Sequence, residues 1–521
     1  MNMRPGNPNE IQTQPNYLPL KREAFVPRTI CIPNPRIVAV LFVYLLTSVA
    51  AAQDWSQFRG GPMQAIYKSG SPVKSLSDSN LVWKVPLESG HSSPSVYQDR
   101  LYVTSANTQT SKVSTHCFSL TDGKRLWTAS ESVSTWEKIH PFNSLATPTC
   151  CADEHGVVAY FGSYGLVRYS NKGQKLWEHR IPVTTVQYGV STSPVMLGGR
   201  VFLLKDSKQG SFLKCYAAKT GEEIWSADRP LNSANNSTPL AVRGREGKNL
   251  VAVNGTPVSH IYDADTGEEV AWNSGYPFEP ISVPLLTEDA IIFSNRGTGS
   301  EGDRLTLPDF DFLRRKYPTE DDSAVDLAQV PVTEQLVLRP EVEAGAPGRT
   351  IRLAFILRAL CDRNKDGRVD QGEYRLANEE FGNNLNKMAS LPLGKTGQYG
   401  SNDLRWSITR GVPEMSNPIL IGSNILTVED GGLYQFIDLE DGRIRKKGRL
   451  ESRGRYTSSP VLWQDHLFLL SNAGDWTIAR ASGDELRTIA RGSFGERVFA
   501  TPAPTPQGIV IRTEESLRLY R

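Results

Sequence analysis

One phrase recurs along this chain, and it restricts the possible folds more than any other feature. It opens with a small residue and Pro, passes a polar turn into a short apolar run, and closes with a polar-Gly turn and a Trp. The first copy has Ser93-Pro94, Leu101-Tyr102-Val103, Asp122-Gly123 and Trp127. The second has Thr147-Pro148, an apolar run over 157–161, Lys172-Gly173 and Trp177. The third has Ser193-Pro194, Val201-Phe202-Leu203, Thr220-Gly221 and Trp225, and the fourth Thr238-Pro239, Leu250-Val251-Ala252-Val253, Thr266-Gly267 and Trp272. More worn copies begin at Val283-Pro284, Asn417-Pro418, Ser459-Pro460 and Thr501-Pro502. Successive Pro residues are 54, 46, 45, 45, 134, 42 and 42 positions apart. A period of roughly 40–50 residues built from short strands is that of a four-stranded propeller blade.

The local chemistry agrees. The apolar runs are rich in Val, Leu, Phe and Tyr and have strand length. The Asp-Gly, Lys-Gly and Thr-Gly pairs supply the positive φ that tight hairpins need. The Trp, four residues after Gly in three copies and five in the fourth, is expected to pack between neighbouring blades. The last copy stops at Tyr520-Arg521 without a closing turn and Trp. Leu81-Val82-Trp83-Lys84-Val85, ahead of the first Ser-Pro, reads as that missing strand, so the N-terminal side completes the eighth blade. The fold expected is an all-β, eight-bladed β-propeller. Its blades lie over 53–297 and 401–521, with an insertion over 298–400 that carries a small helical calcium loop.

The first 52 residues read as an export signal. Arg36 precedes the apolar stretch Ile37 to Leu46, too short to span a bilayer, and Ala50-Ala51-Ala52 supply the small residues of a cleavage site. The stretch before Arg36 is long for a signal, so translation is expected to start further downstream. Export implies a periplasmic or extracellular protein with no stable membrane span after cleavage. The net charge is only +2, and no Lys/Arg run offers a phosphate backbone a surface, which excludes nucleic acid as a partner class. Cys117, Cys150, Cys151, Cys215 and Cys361, with no CxxC spacing, make neither a zinc site nor a disulfide framework. No HxH or HExxH, no GxSxG and no His-Arg-Asp catalytic loop is present, which disfavours the corresponding metal, hydrolase and kinase chemistries.

The most specific motif is Asp362-Arg363-Asn364-Lys365-Asp366-Gly367-Arg368-Val369-Asp370-Gln371-Gly372-Glu373, a full match to the EF-hand calcium loop. Calcium takes six to eight oxygen ligands. Asp362, Asn364 and Asp366 would give side-chain oxygens, Arg368 its carbonyl, Asp370 a direct or water-mediated contact, and Glu373 two oxygens. Gly367 makes the sharp bend, and Val369 falls in the strand position opposite the ion. Ile351 to Leu360 reads as the incoming helix and Tyr374 to Phe381 as the outgoing one. No second loop is legible, since Asp309-Phe310-Asp311 and Asp321-Asp322 lack the spacing, so the hand is expected to be a lone structural clamp.

These residues resemble the pyrroloquinoline quinone (PQQ)-like propeller repeat family. Its blade signature, Ala-x-Asp-x-x-Thr-Gly-x-x-x-Trp, is approached by Ala217-Ala218-Lys219-Thr220-Gly221-Glu222-Glu223-Ile224-Trp225 and by Asp263-Ala264-Asp265-Thr266-Gly267. Trp55-Ser56-Gln57-Phe58-Arg59-Gly60-Gly61-Pro62 looks like the Trp-x-x-Phe-Arg-Gly opening of its secreted members. The likeness covers roughly 54–297 and 401–521 and is specific for fold rather than function. The family includes quinone-dependent alcohol and sugar dehydrogenases and a non-enzymatic propeller of outer-membrane assembly. The resemblance therefore implies either a binding or scaffold propeller with a protein or glycan partner on its face, or a PQQ-dependent oxidoreductase. A hydrolase or lyase acting on extracellular glycans is a third class. The non-enzymatic reading leads, with Ca2+ as cofactor and PQQ as the alternative. Some of the quinone enzymes hold a vicinal disulfide against the cofactor, which draws notice to Cys150-Cys151, although strand residues occupy the matching place in other copies. Gly90-His91-Ser92, 143–146 and Asn235-Asn236-Ser237, ahead of the Pro positions, read as solvated loops or a channel mouth.

Overall fold

The computed structural model describes residues 54–521 apart from 184–185, 187, 208–209, 230–231, 233–234, 245–246, 278–279, 297–306, 338–349, 382–385 and 453. Among the described residues, eight sheets are blades built on four antiparallel strands, two of them extended by a short parallel strand, and two further two-stranded sheets lie in the insertion. The first blade runs Ser95–Tyr97, Arg100–Asn107, Lys112–Ser119 and Arg125–Ser132 from the axis outward. The same order recurs over 151–180, 195–228, 240–274, 285–408, 419–449 and 461–493. The eighth blade takes three strands from 503–520, and its outer strand is Leu81–Pro86, paired with Ser516–Tyr520. Closure by a strand from the far end of the chain removes an open edge.

The polar-Gly-x-x-x-Trp phrase works across blades rather than within one. The Trp83 indole N–H donates to the Leu120 carbonyl of the next blade at 3.0 Å, Trp127 to Asn171 at 3.0 Å, Trp177 to Ala218 at 2.9 Å and Trp225 to Ala264 at 3.1 Å. Each ring lies on the glycine of that blade's turn, so a Cβ on Gly173 or Gly221 would stand 2.8 Å from it. Trp406 makes the same contact to Leu439 and Gly442 and is the fifth blade's copy. Trp272, one residue out of phase, instead pairs with Gln398 of a short added strand, Gly397–Gln398. One residue before the docking Trp, the outer strand bulges, as the register shift between Lys175 and Trp177 shows. Such bulges blunt the free outer edge of each blade.

The small-residue-Pro phrase forms a belt around the axis. The Ser93 amide donates to Thr149 Oγ1, Thr149 to Ser193 Oγ, Ser193 to Thr238 Oγ1, Ser459 to Thr501 Oγ1, and Thr501 back to Ser93 Oγ, all at 2.9–3.1 Å. Val283 donates to Asn417 Oδ1, and Asn417 Nδ2 to Ser459 Oγ. The second blade's member is therefore Thr149, the residue immediately after the Thr147-Pro148 pair read from the sequence. At position 283 a Val stands where the other blades carry a side-chain oxygen.

The insertion enters within a blade. Ala290–Asn295 pairs with Lys387–Pro392, which pairs with Trp406–Ile408. The insertion read over 298–400 thus includes a blade strand: Lys387–Pro392 is the third strand of the fifth blade, and Trp406–Ile408, within the expected 401–521, is its fourth. Pro392 and Thr396-Gly397 stand there, but Trp406 follows the glycine by nine residues instead of four, so the phrase was not recognisable. Between these strands a separate apolar core forms around Leu313, Leu353, Leu357, Val369 and Ala377.

Candidate functional site

Three places could carry function: the loop of the insertion, the paired cysteines, and the propeller axis. In the insertion, Leu353–Ile356 and the following wider turn Leu357–Cys361 lead into the loop, and Gln371–Phe381 leads out. Lys365 and Gly367 take positive φ of 61° and 81°, which a Gly accepts without strain. Glu373 closes the loop: Oε1 accepts from the Arg363 amide at 3.0 Å and the Asn364 amide at 3.3 Å, and Oε2 from the Asp370 amide at 3.2 Å. Asp362 Oδ2 accepts from the Gly367 amide at 3.2 Å, Asn364 Nδ2 donates to Asp366 Oδ2 at 3.0 Å, and Asp366 Oδ1 accepts from the Arg368 amide at 2.8 Å. Asp370 Oδ1 caps the outgoing helix through the Glu373 amide at 2.8 Å. Among the described residues no three His, Cys, Asp or Glu side chains come together as a ready-made metal cluster. Asp362 Oδ1 is nevertheless buried with no hydrogen-bond partner. A buried carboxylate oxygen without a donor is costly unless a cation takes the place. The residues at the remaining loop positions are all oxygen donors, so the set fits calcium.

The sequence reads as a lone hand, but in the structure the loop pairs with a second segment of the insertion. Arg368–Val369 pairs antiparallel with Val325–Asp326, in the register Val325 with Val369 and Asp326 with Arg368. Helix Phe310–Lys316, capped by Asp309 through the Phe312 amide, precedes that strand. A cleft of about 580 Å³ opens between the two halves, with Asp362 and Asp366 on one side and Thr319, Glu320 and Asp326 on the other. This second segment has a helix and a strand, but Asp309-Phe310-Asp311 and Asp321-Asp322 lack the ligand spacing, so no motif pointed to it.

Cys150 and Cys151 are both buried free thiols at the start of the second blade's inner strand. Consecutive strand residues face opposite sides. Cys150 accordingly packs with Tyr102, Val113 and Phe161 against the first blade, and Cys151 with Val201, Leu203 and Tyr216 against the third. Burial pushes the Cys150 thiol up to about 12 and raises the Cys151 thiol well above its ordinary value. The pair does not fit a vicinal disulfide laid against a quinone.

The axis is occupied by the chain itself. Trp55 bridges to Val96 of the first inner strand, the Ser56 carbonyl accepts from Ala152 at 2.8 Å, and Gln57 Oε1 accepts from Met196 at 2.7 Å. Arg59, fully buried, donates to the Pro418 carbonyl at 2.9 Å and to the Met63 carbonyl at 3.2 Å. Burial lowers its guanidinium to about 9. Ile66–Tyr67 then pairs parallel with Val461–Trp463 of the seventh blade. The Trp-Ser-Gln-Phe-Arg-Gly opening is thus a thread along the inner edges of five blades. Nothing periodic marks it in the sequence. The segments ahead of the Pro positions are only partly solvated: Ser92, Ala146, Asn235 and Ser237 are buried, His91, Asn143 and Leu145 line an open cleft, and Asn235 Nδ2 donates to Asp206, which is paired with Arg229. The expected export signal, 1–52, lies outside the described residues.

Residues 58–212 match the model of a family described as outer membrane protein assembly factor BamB. No curated protein matches the chain. Among solved structures, BamB from Moraxella catarrhalis is similar at 8% identity and a TM-score of 0.48, over 84% of this chain and 99% of that one. The computationally designed Ika8 protein is similar at 7% identity and a TM-score of 0.46, over 84% and 98%. A europium-containing methanol dehydrogenase follows at 11% identity and a TM-score of 0.36, over 83% and 90%. Among the described residues no helix is long and apolar enough to cross a membrane.

Proposed function

From the premise that this chain is an eight-bladed propeller of PQQ-type repeats, we propose that it is an exported binding or scaffold protein. It works in the periplasm or outside the cell and presents its loop face to a protein or glycan. One observation carries the reading: the thread from Trp55 to Tyr67 takes up the axis and bonds to the inner edges of the first, second, third, sixth and seventh blades. A ring whose centre is filled by its own chain is a rigid frame, and its faces and rim are the surfaces left to work with. In this reading the loop 362–373 holds one calcium ion through Asp362, Asn364, Asp366, Arg368, Asp370 and Glu373. The ion ties the insertion into one body.

The alternative is a PQQ-dependent oxidoreductase on alcohols or sugars. The opposed Cys150 and Cys151 side chains speak against it. A titration of PQQ into the full chain in calcium buffer, followed by dialysis and absorbance, separates the two. The binding reading expects the quinone to wash out. Stoichiometric retention would replace it with the oxidoreductase.

A further inference from the structure

The register shift in the outer strand of a blade leaves one residue out of the ladder, and on five successive blades that residue is apolar. It is Ile489 on the seventh blade, Val82 on the eighth, Leu126 on the first, Leu176 on the second and Ile224 on the third. Each is 40–49% exposed. The arc stops at charge. Arg445 is the skipped residue of the sixth blade and pairs with Asp438 at 2.8 Å. Arg405, just before Trp406 on the fifth, pairs with Asp289 at 2.6 Å. A single apolar residue on a surface is ordinary. The same ladder position on five neighbouring blades is a pattern, and the fold does not impose it, since arginine serves there on the fifth and sixth.

The fourth blade shows what such an edge accepts. Its skipped residue is Val270, which is half-buried. The chain's own segment Gly397–Gln398 lies along this edge as a parallel strand, with Gly397 opposite Ala271 and Gln398 opposite Trp272. The Tyr399 amide donates to the Trp272 carbonyl at 2.8 Å, and Asn273 Nδ2 donates to the Tyr399 carbonyl at 2.7 Å. Tyr399 is buried in the apolar cluster against which Val270 also packs. The bulge therefore keeps an added strand short without closing the edge to it.

The arrangement narrows the occupant. A membrane is flat, and the five residues stand at successive stations round a ring, so no plane meets them together. A partner held by charge would want free cations, but Arg125 beside Leu126 is paired with Glu88 at 2.8 Å, and Lys175 beside Leu176 with Glu178 at 2.7 Å. A short extended segment needs only the backbone groups of an edge and an apolar spot for one side chain. We propose that the outer edges of the seventh, eighth, first, second and third blades are docking sites for short extended segments of a partner protein. Each segment adds a strand beside the bulge, as Gly397–Gln398 does on the fourth blade, and lays an apolar or aromatic side chain on the skipped residue. The proposal names the surface and partner class of the binding-propeller reading and rests on it.

The test selects binders to the full chain from a displayed library of random dodecapeptides. The purified peptides are then mapped on the chain by hydrogen exchange and titrated by calorimetry at low and high salt. Enriched peptides protect outer-strand amides of the arc, carry an apolar or aromatic residue, and bind with an affinity flat in salt. Lysine at the skipped residue of the protected blade (Leu176→Lys for the second) weakens binding about tenfold, while Leu176→Met leaves it unchanged. Leu176→Thr replaces the lysine variant should that one lower the thermal midpoint. Three results overturn the surface: no peptide is enriched, the enriched peptides protect the loop face instead of the outer strands, or the substitution leaves their affinity unchanged. Self-association of the chain that Leu176→Lys abolishes would make a second copy the occupant and overturn it as well. Each of these leaves the binding reading standing, because that reading falls on quinone retention instead.

Discussion

Gly221 and Gly199 share one backbone conformation and differ in what surrounds them. Their φ values are 78° and 76°. A Cβ on Gly221 would meet the Trp177 ring at 2.8 Å, whereas one on Gly199 would meet nothing within 4 Å. Gly→Ala at either site costs about 1 kcal/mol for the left-handed backbone. At Gly221 overpacking adds about 1–3 kcal/mol, because the indole is fixed by its bond to Ala218. Urea unfolding of the two variants is expected to show Gly221→Ala as clearly the less stable; equal losses would refute the interblade contact. The Gly-x-x-x-Trp spacing was legible because a hairpin turn and a large ring leave marks in any sequence. The identity of the contact was not, since a Trp packing within its own blade would be spelled the same way. The cysteines show a signal that was present and unread: adjacency in a strand already places Cys150 and Cys151 on opposite faces.

At the scale of elements, the connection 133–149 is tied to the next one through Glu137, whose carboxylate is buried and accepts from Val190. Burial raises it from 4.5 to about 7, against the smaller pull of the Val190 and Ser163 bonds. The folded protein therefore keeps this proton after the unfolded chain has lost it. The stabilisation is complete below pH 4.5 and is lost as pH rises to about 7. By linkage the loss is about 3 kcal/mol. Glu137→Gln is expected to remove that part of the pH dependence between 4.5 and 7, read from unfolding midpoints across the range; an unchanged profile would assign the slope elsewhere. The insertion makes the second element-scale expectation. If calcium completes the loop, chelator speeds limited proteolysis within 307–381, and Asp362→Ala cleaves equally fast with or without it. The same cleavage of the natural chain in both conditions refutes the clamp. The loop's candidate ligands could be named from the sequence, because oxygen ligands must recur at fixed steps, and the proteolysis decides whether they hold calcium. The partner strand Val325–Asp326 could not, because strand pairing needs only backbone. For the same reason Lys387–Pro392, cut off from its blade by the insertion, carried no mark of belonging to it.

For the whole molecule, eight blades must close on one another, and the belt of hydroxyls and amides shows how. Each link joins a backbone amide or side-chain amide of one blade to the side chain of the next, and the last returns from Thr501 to Ser93 across most of the chain. The repeat count was readable because every blade carries a Pro at or beside this point, in most of them after a small or polar residue. The thread from Trp55 to Tyr67 was not, because it follows a circle of edges rather than a sheet period. The belt's gap is a measurable property of the ring. Position 283 carries a fully apolar, buried side chain at the place where Thr238, one blade earlier, presents a hydroxyl to Ser193. Thr has nearly the shape of Val but brings a polar group that must be met. If the belt is a continuous feature of the fold, the hydroxyl of Val283→Thr meets the Thr238 amide, and the variant gains about 1 kcal/mol. If the fourth-to-fifth seam is built differently, the hydroxyl is buried without a partner and the same change costs about 1–3 kcal/mol. Thr149→Val, the opposite change at a seam where the Ser93 amide depends on the hydroxyl, is expected to cost about 1–3 kcal/mol. Chemical denaturation of the three proteins reads both signs, and a loss in Val283→Thr as large as that in Thr149→Val would show that the belt is interrupted there and that other bonds, such as Ser237 Oγ to the Ser282 carbonyl, join the seam.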